Sequence, residues 1–124
     1  MTALSVLVVE DDEDIRNLLV TRLARLDYRV TAAPTGEAGL EAARAEPPDL
    51  MLLDLLLPGI DGWEVARRLR TEPTTARVPV LVVSILDDGS DEPGVVGRIT
   101  KPFRARDVES MVRALIGPAL AEGA

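Results

Sequence analysis

Leu50-Met51-Leu52-Leu53-Asp54 is four apolar residues closed by an acid, with Pro47-Pro48 before it and Pro58-Gly59 after it. An unbroken apolar run this short, bounded by turn formers, reads as a strand buried on both faces of a parallel sheet. The pattern recurs: Leu7-Val8-Val9 runs into Glu10-Asp11, Val80-Leu81-Val82-Val83 into Ser84, and the weaker Gly97-Arg98-Ile99-Thr100 into Lys101. Open parallel sheets bind ligands beyond the carboxyl ends of their strands. If these four strands lie side by side, three carboxylates, a hydroxyl and an ammonium meet at one spot.

The intervening segments have helical period. Ser5 to Val9 is the expected first strand, after which Asp12, Glu13 and Asp14 crowd a helix N-terminus, where negative charge complements the dipole. Ile15, Leu18, Leu19, Leu23 and Leu26 give that helix one apolar face. Arg29 to Ala32 is a short strand, and Pro34-Thr35-Gly36 turns into an Ala-rich helix ending near Ala45, with Thr35 as N-cap. Asp61, followed three residues later by Glu64, opens a helix to about Arg70. A last helix from about Arg106 to Ile116 carries Val108, Met111, Val112 and Leu115 on one stripe. Strands alternating with helices imply right-handed βαβ units and a three-layer α/β domain. Between Leu86 and Val96, Asp87-Asp88-Gly89-Ser90 and Pro93-Gly94 leave little helical material, so the fourth helix is expected to be short, distorted or missing. One domain is expected over residues 1–118, with residues 119–124 a tail and the chain fraying from Gly117.

Composition removes many chemistries. The 124 residues contain no Cys and no His, which excludes disulfides, thiol catalysis, imidazole bases and most zinc sites. A formal charge of −7 argues against nucleic acid as a partner. Apolar runs are too short to cross a bilayer, so no membrane partner is expected. No basic segment followed by an apolar one opens the chain, so no signal peptide is read and a cytoplasmic location is expected. Of fourteen basic residues, thirteen are Arg and only Lys101 is Lys. A compact ammonium at that one exception, after a strand and before Pro102, points to a role that a guanidinium does not fill.

Glu10, Asp11 and Asp54, brought together, would raise one another's pKa unless a cation neutralised them. A hard divalent ion with oxygen ligands fits, with Mg²⁺ the default. Helix capping competes as an explanation of Asp11, together with Asp12 and Asp14. It explains Asp54 less well, because Asp54 ends a buried strand, where a carboxylate needs a partner. Ser84 either donates to an oxyanion or turns the chain. Lys101 either pairs with a phosphoryl oxygen or forms a structural salt bridge with Asp54, and these roles are compatible. Trp63, Tyr28 and Phe103 read as packing residues.

The four segments together resemble the receiver domain of two-component response regulators: Leu7 to Asp12, Leu52 to Gly62 (LLDLLLPGIDG), Val80 to Ser84, and Thr100-Lys101-Pro102-Phe103. The likeness covers essentially the whole chain. It implies a flavodoxin-like three-layer sandwich with a five-stranded parallel sheet in the order 2-1-3-4-5. It also implies Asp54 as phosphoacceptor, and Glu10, Asp11, Asp54 and the backbone carbonyl of Leu56 as the Mg²⁺ site. Ser84 and Lys101 would contact the phosphoryl group. The implied partners are a sensor histidine kinase or histidine phosphotransfer protein and a separate downstream effector, with homodimer formation open. By the same resemblance the chain is a signalling phosphoacceptor with self-catalysed transfer, not a conventional enzyme.

Three features depart from the family pattern. Ile85 replaces the small residue common after the hydroxyl and is expected to narrow access to Asp54. Arg98 replaces an aromatic residue, so a ring rotation coupled to the hydroxyl cannot operate. The segment from Ser84 to Lys101 is short for a full helix. Leu56 and Leu86, each two residues beyond a functional position, cannot orient a water, and slow self-dephosphorylation is expected. Two competing functions are a degenerate pseudo-receiver acting as a phosphorylation-independent scaffold and a Mg²⁺-dependent phosphohydrolase. The hydrolase reading lacks its usual second Asp, because Leu56 stands two residues after Asp54.

Overall fold

The computed structural model describes residues 3–86 and 92–120. Five strands, β1 (Ser5–Val9), β2 (Arg29–Ala33), β3 (Leu50–Leu53), β4 (Val80–Ser84) and β5 (Val95–Thr100), form one parallel sheet in the order β2-β1-β3-β4-β5. The helices are α1 (Glu13–Arg25), α2 (Gly36–Ala45), α3 (Gly62–Thr71) and α4 (Ala105–Ile116). The expected flavodoxin-like fold and strand order are those found. Among the described residues no helix lies between β4 and β5. The expectation of a short, distorted or missing helix there falls partly on residues 87–91, which lie outside the described residues.

Alternation along the strands divides the apolar residues into two cores. Leu7, Val9, Met51, Leu53, Val80 and Val82 face α2 and α3, where they meet Leu40, Ala43, Val65, Ala66 and Leu69. Val6, Val8, Leu50, Leu52, Leu81 and Val83 face α1 and α4, where they meet Leu19, Leu23, Val108 and Val112. Burying each such side chain stabilises the fold by about 1.5–3 kcal/mol, so the three central strands dominate the gain. The edges are less apolar: Arg29 and Thr31 of β2 are exposed. On β5, a register irregularity pairs Val80 with Val95 and Leu81 with Gly97, leaving Val96 as an exposed extra residue.

Local chemistry sets the helix ends. Asp12, Thr35 and Asp61 each accept a hydrogen bond from the backbone N–H three residues on, at 3.0, 3.0 and 2.9 Å. Two expectations are corrected. Leu18, placed on the apolar face of α1, is 42 % exposed: Leu19 and Leu23 are buried in the sheet core and Ile15 and Leu26 pack against it, whereas Leu18 lies outside that cluster. The chain does not fray from Gly117: Ala119 is buried, its carbonyl accepts from Leu4 N–H at 2.8 Å, and Gly117 O accepts from Tyr28 Oη at 2.5 Å. No described helix is long and apolar enough to cross a membrane.

Candidate functional site

Because all five strands run the same way, β1, β3, β4 and β5 end at one edge of the sheet. The ladder continues one residue past the strands: Asp54 N–H donates to Val9 O at 3.0 Å, and Lys101 N–H donates to Ser84 O at 2.9 Å. Glu10 N–H donates to Ala33 O at 3.1 Å. Backbone pairing thus carries Glu10, Asp54 and Lys101, far apart in sequence, into contact.

The contact is close. Lys101 Nζ donates to Glu10 Oε1 at 2.5 Å and to Asp54 Oδ2 at 3.0 Å. The other oxygen of Asp54 accepts from Leu56 N–H at 3.0 Å, and the other oxygen of Glu10 from Asp12 N–H at 3.2 Å. Glu10 and Asp54 are buried, whereas Asp11 is exposed. Glu10, Asp11 and Asp54 nevertheless offer carboxylate oxygens that all lie within 4.8 Å of one another. The capping alternative separates the acids: Asp12 caps α1, which leaves Asp11 with no capping role among the described contacts.

Burial pushes the Glu10 carboxyl up to about 7. The Lys101 hydrogen bond opposes the rise, neighbouring Asp54 adds to it, and the Asp12 N–H pulls it back. For Lys101, burial disfavours the ammonium, but its bonds to Glu10 and Asp54 outweigh burial and hold its pKa above the ordinary lysine value. A buried acid pair with one ammonium and an exposed third carboxylate suits a hard divalent cation with oxygen ligands, so this donor set fits Mg²⁺.

Ser84 is buried at the end of β4 and its hydroxyl accepts from Leu86 N–H at 3.2 Å, which is the turn role weighed for it. Its tie to Lys101 is through the backbone. Ile85, expected to narrow access to Asp54, is 63 % exposed. It lines an open apolar groove beside Lys101 with Ile15, Leu18, Pro102 and Phe103. Leu56 is half exposed, while Leu86 packs against the core on the α3 side of the sheet.

Two contributors escaped the sequence reading. Arg16 donates through Nη1 to the carbonyls of Glu10 and Asp11, at 3.0 and 3.4 Å, and so fixes the turn that presents them. Gly62, quoted in the family-like segment but given no role of its own, seats α3 on the backbone of the acid-bearing turn. A Cβ there would fall 2.6 Å from Leu55 Cα and collide with Asp54 O. Gly62→Ala must therefore move backbone, and we expect it to lower the unfolding free energy in urea by about 1–3 kcal/mol with the slope unchanged. A wild-type midpoint would show that the seat is tolerant.

A sequence profile described as "Response regulator receiver domain" matches residues 6–113. The chain is 42% identical over 116 residues to the transcriptional regulatory protein CseB of Streptomyces coelicolor, covering 90% of this chain and 48% of that one. It is 38% identical over 117 residues to the transcriptional regulatory protein AfsQ1 of the same organism, covering 90% and 51%. The chain thus spans about half the length of these curated relatives. Among solved structures, the receiver domain of a sensor histidine kinase from Pseudomonas aeruginosa PAO1 superposes with TM-score 0.83 at 26% identity, covering 94% of this chain and 99% of that one. That structure holds a magnesium ion coordinated in its active site cleft.

Proposed function

The chain belongs to the response regulator receiver domain family, and on that premise we propose that Asp54 accepts a phosphoryl group from the phosphohistidine of a sensor histidine kinase or histidine phosphotransfer protein. The observation that carries this reading is the Lys101 ammonium bonded to both Glu10 and Asp54 at the end of the sheet. An Asp54 oxygen attacks phosphorus, the P–N bond breaks, and its electron pair leaves with the imidazole. Lys101 meets the charge on the phosphoryl oxygens, and the Ser84 hydroxyl, whose oxygen accepts from Leu86 N–H, keeps its own hydrogen to donate to them. Glu10, Asp11, Asp54 and the Leu56 carbonyl would hold Mg²⁺, which when bound neutralises charge on the transferring group. The apolar groove of Ile15, Leu18, Ile85, Pro102 and Phe103 suits a protein donor, since a small polar donor has nothing to bury there.

The product is an aspartyl phosphate, not a released molecule, so the domain signals and does not turn over substrate. The new charge draws on Ser84 and Lys101 and alters the surface presented to an effector. The encounter with the kinase is assigned to the cytoplasm. Incubation with acetyl phosphate and Mg²⁺ tests the reading: one acid-labile phosphoryl group per chain, at Asp54, is expected. Failure to gain phosphate or to respond to beryllofluoride would mark a scaffold, and continued turnover would mark a hydrolase.

Of the two leucines expected to exclude water, Leu56 alone is half exposed at the site. Decay of the aspartyl phosphate should be slow, and Leu56→Asn should accelerate it roughly fivefold, equivalent to about 1 kcal/mol. The check is loss of acid-labile phosphate with time after the donor is removed. Equal decay in both proteins would show that Leu56 does not limit water.

A further inference from the structure

The two acids after β1 stand on a stretch of chain that neither neighbouring element secures. The sheet ladder reaches as far as Glu10 N–H, which donates to Ala33 O at 3.1 Å. Helix α1 takes hold at Asp12, whose side chain accepts from Ile15 N–H at 3.0 Å and whose carbonyl accepts from Arg16 N–H at 2.9 Å. Between them lie two peptide units, carrying the carbonyls of Glu10 and Asp11. The bond from Asp12 N–H to Glu10 Oε2, 3.2 Å, is internal to this turn and moves with it. Among the described contacts Arg16 Nη1 is the donor to both carbonyls, at 3.0 and 3.4 Å. One guanidinium nitrogen carries two hydrogens, so it serves two successive carbonyls at once.

Where the turn stands decides what the acids can hold. Asp54 is fixed separately, by Lys101 Nζ and Leu56 N–H, and its carboxylate lies within 4.8 Å of those of Glu10 and Asp11. Mg²⁺ takes oxygens at about 2.1 Å in a strict octahedron, with neighbouring ligands roughly 3 Å apart, whereas Ca²⁺ takes them at about 2.3–2.6 Å in looser geometry. A turn free to move by roughly half an ångström suits either ion, and a pinned one favours the smaller. The guanidinium also brings positive charge beside the site, which opposes a bound cation. The two effects of Arg16 therefore differ in sign.

We infer that Arg16 sets the metal preference of the site: through the Glu10 and Asp11 carbonyls it holds the two acids at a spacing for Mg²⁺ and against the larger Ca²⁺. Arg16 is a positioning residue, because it touches the backbone of the ligands and not the ion. The inference rests on the proposed reading of Glu10, Asp11 and Asp54 as metal ligands.

Calorimetric titration of the full chain with magnesium chloride and, separately, calcium chloride tests it. Wild type, Arg16→Met and Arg16→Lys are compared, with a melting curve for each. The wild type should bind Mg²⁺ more tightly than Ca²⁺. In Arg16→Met, Mg²⁺ should bind about fivefold to tenfold more weakly, the cost of ordering roughly one residue of backbone when the ion arrives. Its Ca²⁺ affinity should change by less than about twofold, so the preference narrows. Arg16→Lys keeps the charge but ends one bond short of Nη1, so it should lose part of the preference. It decides the matter if Arg16→Met does not fold, and an unchanged preference would then overturn the inference. Arg16→Met binding Mg²⁺ as tightly as the wild type, or more tightly, would reduce Arg16 to a nearby charge. Equal weakening of both ions would make it a general prop, and a wild type with no preference would leave it nothing to set. Each of these results overturns the inference, while labelling of wild-type Asp54 by acetyl phosphate keeps the phosphoacceptor reading standing. A wild type that neither binds Mg²⁺ nor takes up phosphate would overturn the two together.

Discussion

Asp54→Asn is expected to abolish phosphate uptake from acetyl phosphate, by at least about a hundredfold, while leaving the protein folded. The amide keeps the shape of the carboxylate, but Lys101 Nζ and Leu56 N–H bond different oxygens of Asp54, so its single oxygen keeps one of these two bonds and its NH2 faces the other donor. It lacks the anionic oxygen that attacks phosphorus. Folding should survive because Asp54 is one of two buried acids sharing a single ammonium, and its proximity helps to raise the Glu10 carboxyl. Removing that charge relieves a repulsion, which offsets the lost bond, so the thermal midpoint should hold. Intact-mass measurement after acid and neutral work-up, paired with a melting curve, checks both halves. Phosphate uptake by Asp54→Asn at the wild-type rate would exclude Asp54 as the acceptor.

Lys101→Met should damage both chemistry and stability. The Lys101 stem is largely buried, so methionine fills similar space, but Glu10 and Asp54 lose their shared cation. Breaking a buried ion pair from one side costs on the order of 3–5 kcal/mol. Here the loss should fall near the lower bound, about 3 kcal/mol, because Glu10, already pushed up to about 7 by burial, can take up a proton. Phosphate uptake should fall by about a hundredfold or more, since the transferring oxygens lose their nearest cation. Urea unfolding with and without Mg²⁺ and the rate of acetyl phosphate labelling measure the two effects. An unchanged labelling rate would reduce Lys101 to the structural salt bridge with Asp54.

The central strands were legible in the sequence because β1, β3 and β4 are buried on both faces, and that condition leaves a run with no polar interruption, whereas their order came only from the resemblance to the receiver family. Helix starts were legible for a similar reason: Asp12, Thr35 and Asp61 act on N–H groups three residues away, a purely local bond. Leu18 was misassigned because helical period marks a face and not how wide a strip of it the sheet covers. Arg98 could be seen as a departure from the family pattern, but not as the partner of Trp63, because α3 and β5 meet only in three dimensions.

By itself the sequence determined which residue types stand at the strand ends: acids after β1 and β3, a hydroxyl ending β4, the lone lysine after β5. Only the tertiary structure decided what they do to one another. Side chains tens of residues apart interact once parallel pairing sets their register. That pairing placed Lys101 between Glu10 and Asp54, gave the capping task to Asp12, turned Ile85 outward and set α3 on Gly62. The physical reason is range: caps and periods act within a turn or two of chain, whereas burial and ion pairing depend on neighbours that only the folded sheet supplies.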